Sequence, residues 1–194
     1  RLLYFLLVWL YRVKMLQAVP RHYLDKSHPN IWIAERLKLS FPQARFVGIE
    51  RNPYATVASM LKRKAVLSWH KRWTDLRVPN RFLGITAENA GAYERMPIAA
   101  RCALRWVHHR RKMNHIRNTL GDALIVISYE RLARDTESTV KGLERFLDLR
   151  VSIPLPNVDK SALTKWKTQL SKDEIRQIKV VVGESSDAFT CSAA

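Results

Sequence analysis

Phe46-Val47-Gly48-Ile49-Glu50-Arg51-Asn52-Pro53-Tyr54-Ala55-Thr56-Val57-Ala58-Ser59-Met60-Leu61-Lys62-Arg63 reads as a strand, a sharp polar turn and a helix. Phe46 to Ile49 is a short apolar run of strand type. Asn52 suits the N-cap, and Pro53 suits the first helical position, where the N–H it lacks would have no intrahelical partner anyway. Tyr54, Val57, Ala58, Leu61 and Ala65 recur at helical spacing and are expected to face a core. Asn52, Thr56, Ser59 and Arg63 fall on a polar stripe of the same helix. Arg51 stands at the strand end, beside the positive end of the helix. An arginine, a helix N-terminus and a hydroxyl two turns in can together hold a phosphate. The alternative is an ordinary strand–turn–helix with a solvated face.

The chain has 194 residues, of which 47% are hydrophobic, with six Trp and only six Gly. That suits one folded α/β domain and excludes a disordered chain. Lys and Arg number 34 against 17 Asp and Glu, a formal net charge of +17. Such an excess points to an anionic partner: a nucleotide, a nucleic acid, a polyanionic sugar or a membrane surface. The two cysteines, Cys102 and Cys191, make neither a disulfide framework nor a zinc pattern. No Asn-x-Ser/Thr sequon occurs, so a cytoplasmic location is expected. The apolar opening, Leu2 to Leu10, is too short to span a bilayer.

Residues 2–16 are apolar on most faces and are expected to form a buried helix, broken at Pro20-Arg21-His22-Tyr23. A polar loop through Pro29 and a short amphipathic helix ending near Phe41-Pro42 lead into the opening stretch. Residues 66–97 carry Trp69, His70, Trp73, Phe82 and Tyr93 and read as an aromatic, irregular insertion, either a cover for a site or a satellite cluster. Residues 97–120 carry the strongest helical pattern, with Ala99, Cys102, Trp106, His109, Met113, Ile116 and Leu120 on one stripe and Gly121 as C-cap. Ala123 to Ile127 is a second strand, apolar throughout as a buried parallel strand is. Asp135 or Thr136 caps the following helix, and Ser171 with Glu174 forms a capping box for the last one, which is expected to run to about Val182. One domain is therefore expected over residues 1–184, with a frayed tail over 185–194. Strands separated by helices imply a parallel, doubly covered sheet. Ligands of such sheets bind beyond the carboxyl ends of the strands, where Arg51 and Tyr129 both stand.

The candidate site residues are basic or hydroxyl-bearing: Lys26, Arg51, Ser59, Arg63, Tyr129, Thr164 and Lys165. They offer anion clamps and hydrogen-bond donors, with Asp25, Glu50 and Glu130 as the only nearby acids. His108 and His115 share a helix face, but no carboxylate or cysteine joins them at ligand spacing, so no metal site is assigned.

Four segments carry a resemblance. Arg51-Asn52-Pro53, with Ser59 eight and Arg63 twelve residues beyond Arg51, resembles the 3′-phosphate-binding segment of PAPS-dependent sulfotransferases, PAPS being 3′-phosphoadenosine-5′-phosphosulfate. Asp25-Lys26-Ser27-His28-Pro29 is similar to the family's acidic-Lys-Thr/Ser-Pro loop, with His28 as an extra residue. Tyr129-Glu130-Arg131-Leu132 is similar to its Tyr-Glu-x-Leu segment. Leu163-Thr164-Lys165-Trp166 resembles the Leu-Ser-Lys-Trp of the tyrosylprotein and carbohydrate branches. The resemblance runs from about residue 24 to 182 with the four segments in order.

It implies a P-loop NTPase-like α/β fold and sulfuryl transfer from PAPS to a hydroxyl of a carbohydrate, a small molecule or a tyrosine, with PAP (3′,5′-diphosphoadenosine) as product. Arg51 and Ser59 would hold the 3′-phosphate with Arg63 nearby, and Tyr129 would contact the nucleotide. Thr164, Lys165 and Trp166 would close over it, and Lys26 and Thr164 would serve the reacting group. No Gly-rich turn precedes residue 24, so the family's 5′-phosphosulfate loop and its usual catalytic base have no counterpart. The domain is accordingly expected to be truncated at its N-terminus. The rival class is a non-catalytic basic module for nucleic acid or another polyanion, supported by the charge and by Trp69, Arg72 and Trp73. It leaves the four ordered segments unexplained, so nucleic acid is disfavoured as the partner.

Overall fold

A computed structural model of the chain describes residues 2–19 and 23–190, with side chains described to residue 183. The break expected at Pro20-Arg21-His22 and the position of Cys191 lie outside the described residues. Ten helices are described: α1 (Leu2–Ala18), α2 (Ala34–Ser40), α3 (Pro53–Leu61), α4 (Lys64–Lys71), α5 (Ala90–Arg95), α6 (Ile98–Leu120), α7 (Tyr129–Arg134), α8 (Thr136–Leu147), α9 (Trp166–Gln169) and α10 (Lys172–Thr190). Strands β1 (Phe46–Glu50) and β2 (Leu124–Ser128) pair in parallel, Gly48 opposite Val126 and Glu50 opposite Ser128. Among the described residues these two strands are the whole sheet.

The long α6 is the beam on which the rest packs. Its Ala99, Cys102 and Ala103 meet Val57 and Ala58 of α3, Leu170, and Ile178 of α10 in the main core. Further along, Ile116 and Leu120 close a second cluster with Ala34, Phe46 and Leu124. Small residues at the crossing bring α6 close to the sheet: a Cβ on Gly48 would stand 2.8 Å from the Met113 side chain. Gly121 ends α6 with φ of 49°, a left-handed backbone that suits glycine. The caps read from the sequence are formed at Asn52, Asp135 and the Ser171–Glu174 box.

Several expectations change. α1 is not buried: Leu2, Leu3, Phe5, Leu6 and Trp9 are between 51% and 83% exposed, and Val8 is its one buried residue. Its contacts include Tyr4 Oη with Ser40 Oγ of α2 at 2.9 Å, Tyr11 against Phe41 and Tyr23, and Tyr11 Oη donating to Asp25 Oδ2 at 2.7 Å. The sheet is not covered on both faces throughout, since Val47 and Ile49 of β1 point to an open face. Residues 66–97 are irregular between α4 and α5, as expected, and form the satellite cluster. They contain the last turns of α4, all of α5 and a core of their own, in which Leu83, Ile85 and Tyr93 are wholly enclosed. α3 stops at Leu61, and Arg63 has an extended backbone (φ −98°, ψ 104°), so Ala65 belongs to α4 and is exposed. The helical backbone of α10 continues past Ser185 to Thr190.

His70 is fully enclosed in the 66–97 region, with Nδ1 2.6 Å from the Tyr93 hydroxyl. Burial first, then the charges of Arg105 and Arg101, lower its pKa from 6.5 to about 4. The folded chain therefore holds this ring neutral while the unfolded chain would protonate it. Its contribution to stability is complete above pH 6.5 and is lost as the pH falls from 6.5 towards 4. Stability should fall on the order of 2 kcal/mol from this residue alone by about pH 5. His70→Gln should flatten that part of a melting-temperature profile, and an unchanged slope would exclude His70 as the cause.

Candidate functional site

The parallel register brings the ends of β1 and β2 level, so Arg51 and Tyr129 start from adjacent points. The Arg51 guanidinium lies over the Tyr129 ring, 4.4 Å from its centroid. Its Nη2 donates to the Ala162 carbonyl at 2.8 Å, tying the strand end to the distal loop 111 residues away. Its Nε is buried and has no partner. The Arg51 carbonyl in turn accepts from Trp106 Nε1 of α6 at 3.0 Å. Three elements thus hold one arginine in a fixed pose.

At the helix N-terminus beside it, the first backbone N–H groups have partners within the chain. Asn52 Oδ1 accepts from the backbone N–H groups of Tyr54 and Ala55, at 2.9 and 3.3 Å. The Asn52 N–H donates to Glu130 Oε1 at 2.9 Å. Glu130 also accepts from Ser128 Oγ at 3.0 Å. Burial pushes the Glu130 carboxyl up, but these hydrogen bonds and the nearby Arg51 charge outweigh it and hold the group below its ordinary range. Glu130 acts as a clamp between the two strand ends.

An open hollow lies along the side of α3. A hollow of about 170 Å³ is lined by Arg51, Ser59, Lys62, Lys165, Trp166 and Gln169, with Ala55 and Ala162. Of the sequence candidates, Arg51, Ser59, Lys165 and Trp166 meet here. Trp166 is stacked on Tyr54, 4.9 Å between centroids. Lys165 is set by Asp159, with Nζ to Oδ2 at 2.6 Å. That bond, and those from Ser161, hold the Asp159 carboxyl down at about 2.

The other candidates fall elsewhere. Arg63 does not line the hollow: its extended backbone after the end of α3 turns it off the stripe, whereas Lys62, still helical in backbone and three residues beyond Ser59, does line it. Thr164 is exposed, with Oγ1 3.5 Å from the Ser161 carbonyl. Tyr129 supports Arg51 from below and is not in the lining. Lys26 is exposed in the loop before the tight helical turn His28–Trp32. Its neighbour His28 stacks on His109 of α6 at 5.0 Å.

A larger hollow, about 470 Å³, opens between the strand ends and α6, with Arg51, Trp106, Arg110, Arg111, Asn114 and Glu130 in its wall. Arg51 is shared between the two. Glu50 in this wall is neutralised by Arg110 at 2.5 Å and Arg117 at 3.2 Å. His115 meets Glu35 at 3.2 Å. Among the described residues no group of three or more His, Cys, Asp or Glu is placed to hold a metal ion. Nor is any helix long and apolar enough to cross a membrane.

Residues 5–152 match the sulfotransferase family. The chain belongs to that family. Among solved structures it is similar to a sulfotransferase domain from the curacin biosynthetic pathway, at 18% identity and a TM-score of 0.59, over 91% of this chain and 67% of that one. No curated protein sequence matches it. The architecture is accordingly the α/β sulfotransferase fold, and the general chemistry is that of a transferase of sulfuryl groups. Lys62, Trp106 and the Ala162 carbonyl were not marked as site groups by sequence. Trp106 was legible only as a core position, and Lys62 depends on where α3 stops.

The Asn52 cap should be worth about 1 kcal/mol. Asn52→Ala is expected to lower the urea midpoint accordingly without changing the slope of the transition. A midpoint unchanged within error would show that solvent replaces the cap.

Proposed function

We propose that the protein transfers a sulfuryl group from PAPS to a hydroxyl acceptor. The observation that carries this reading is the convergence of Arg51, Ser59, Lys62, Lys165 and Trp166 on one phosphate-sized hollow from two stretches of chain more than 100 residues apart. A donor-rich cluster of this kind, with a buried arginine Nε lacking an acceptor, fits the 3′-phosphate of the nucleotide. Trp166, stacked on Tyr54, offers an aromatic face beside that seat.

PAPS supplies the activated sulfuryl group. The chain's part is positioning and charge neutralisation, the main sources of rate in transfers of this kind. Arg51, locked by Tyr129, Ala162 and Trp106, gives the nucleotide a fixed anchor with little side-chain entropy left to lose. Ser59 adds a neutral donor, and Lys62 and Lys165 add charge at the rim. Thr164, next to Lys165, orders the segment that closes the seat. Lys26 is assigned to the reacting end, where an ammonium offsets charge on the bridging oxygen as the bond to sulfur breaks. A carbohydrate, a small molecule or a tyrosine are the acceptor classes this reading admits.

Titration calorimetry with PAP tests the donor assignment. Arg51→Ala should abolish measurable binding, and Ser59→Ala should weaken it about tenfold, the loss of one charge-assisted hydrogen bond. Lys62→Ala should weaken it more than Arg63→Ala. Wild-type affinity in Arg51→Ala would remove the proposal.

A further inference from the structure

Most of the large apolar side chains left exposed among the described residues fall between residues 2 and 39, and α1 carries the densest group of them. At about 3.6 residues per turn, Leu2, Leu6, Trp9 and Leu16 fall along its outward face, with Phe5 on one side and Leu3 and Leu10 on the other. The opposite face is held by the protein. Tyr4 reaches Ser40, Val8 is buried, and Tyr11 packs on Tyr23 and Phe41. α1 is thus apolar on both sides, one spent on packing and one open. A surface helix of a globular domain ordinarily turns charged and polar residues outward, and a contiguous exposed apolar patch marks a contact with something else.

The borders of the open face select the partner. By the same helical spacing Arg12 falls beside Phe5 and Leu16, and Lys14 beside Leu3 and Leu10, and both are exposed. Arg36 of α2, also exposed, has its guanidinium 5.8 Å from the centroid of the Tyr4 ring. α1 itself contains no Asp or Glu. Asp25, which touches it through Tyr11, also accepts from Asn30. Apolar side chains in the middle with cations at both edges match the profile of an anionic bilayer, where acyl chains lie beneath negative headgroups. Trp9, near the middle of the row, is of the residue type that settles at that boundary. A second copy packed row to row would instead bring only cations against Arg12 and Lys14.

We infer that the outward face of α1 docks on an anionic lipid bilayer and lies in the plane of its surface. Leu2, Leu6, Trp9 and Leu16 enter the acyl boundary, and Arg12 and Lys14 pair with lipid phosphate and carboxylate groups at the two edges. The helix has 17 residues and is not long and apolar enough to cross a membrane, so it rests on one leaflet. The net charge of +17 draws the chain towards such a surface but inserts nothing into it. Insertion belongs to the apolar row, and the two contributions are separable by substitution.

The test is co-sedimentation of the full chain with vesicles of phosphatidylcholine and phosphatidylserine in equal parts. The unaltered chain should partition onto them. Leu6→Gln combined with Trp9→Gln keeps the charge and alters exposed positions only, so the core is untouched. That variant should partition about a hundredfold more weakly, roughly tenfold for each apolar side chain kept out of the bilayer. Arg12→Gln combined with Lys14→Gln should weaken partition by on the order of tenfold. Undiminished partition of the Leu6→Gln, Trp9→Gln variant would show attraction by net charge alone and overturn the inference, as would failure of the unaltered chain to sediment with the vesicles. Sedimentation equilibrium without lipid covers the rival occupant. A dimer of the unaltered chain that the same variant turns into a monomer would assign the face to a second copy and overturn the bilayer reading.

Discussion

The in-register parallel pairing of Phe46–Glu50 with Leu124–Ser128 is the constraint from which the rest follows. Parallel strands cannot be joined by a tight turn, so the chain must travel out and back between them. Here it does so through α3, the 66–97 region and the full length of α6. The return fixes which end of each strand faces the site. Arg51 and Glu130 leave the sheet side by side, and the Asn52 N–H to Glu130 bond closes the gap between them. Without that register the guanidinium would have no Tyr129 ring beneath it.

α6 makes two different sets of contacts from adjacent faces. Trp106 reaches the Arg51 carbonyl and lines the larger hollow. Arg105 and His109, offset around the helix, look towards the aromatic residues of the 66–97 region. The acids near the strand ends do not cancel the cationic character of the site. Glu50 is spent on Arg110 and Arg117, and Glu130 on backbone and hydroxyl donors.

The parts of the fold that were legible in the sequence are those governed by local rules. The Asn52-Pro53 start of α3, the Ser171–Glu174 box and the Gly121 terminus are fixed by residues within a few positions of one another. The meeting of Arg51 with Trp166 was an implication of the family resemblance of their segments, not of local pattern. What was not legible depends on contacts between distant elements. The end of α3 at Leu61 turns Arg63 away from the hollow that Ser59 and Lys62 line, and nothing in the helical periodicity marks that break. The apolar opening reads as core by composition, yet most apolar side chains of α1 stay exposed. His109 sits on the apolar stripe of α6 and reads as a core histidine. Its unmet Nε2 is a property of the surrounding rings, which come from residues 28, 32 and 82.

The exposed row Leu2, Leu3, Phe5, Leu6 and Trp9 also bears on how the protein behaves in solution. Copies of a chain with a net charge of +17 repel one another at low ionic strength. That repulsion reaches only about 10 Å at 0.1 M salt and about 3 Å at 1 M. The attraction between apolar rows does not weaken with salt, and strongly excluded anions such as sulfate strengthen it. The ionic conditions that strip nucleic acid from a basic protein are therefore those in which the α1 rows of two molecules meet most readily. Colloidal stability of this chain should be governed by ionic strength in the opposite sense to its purity.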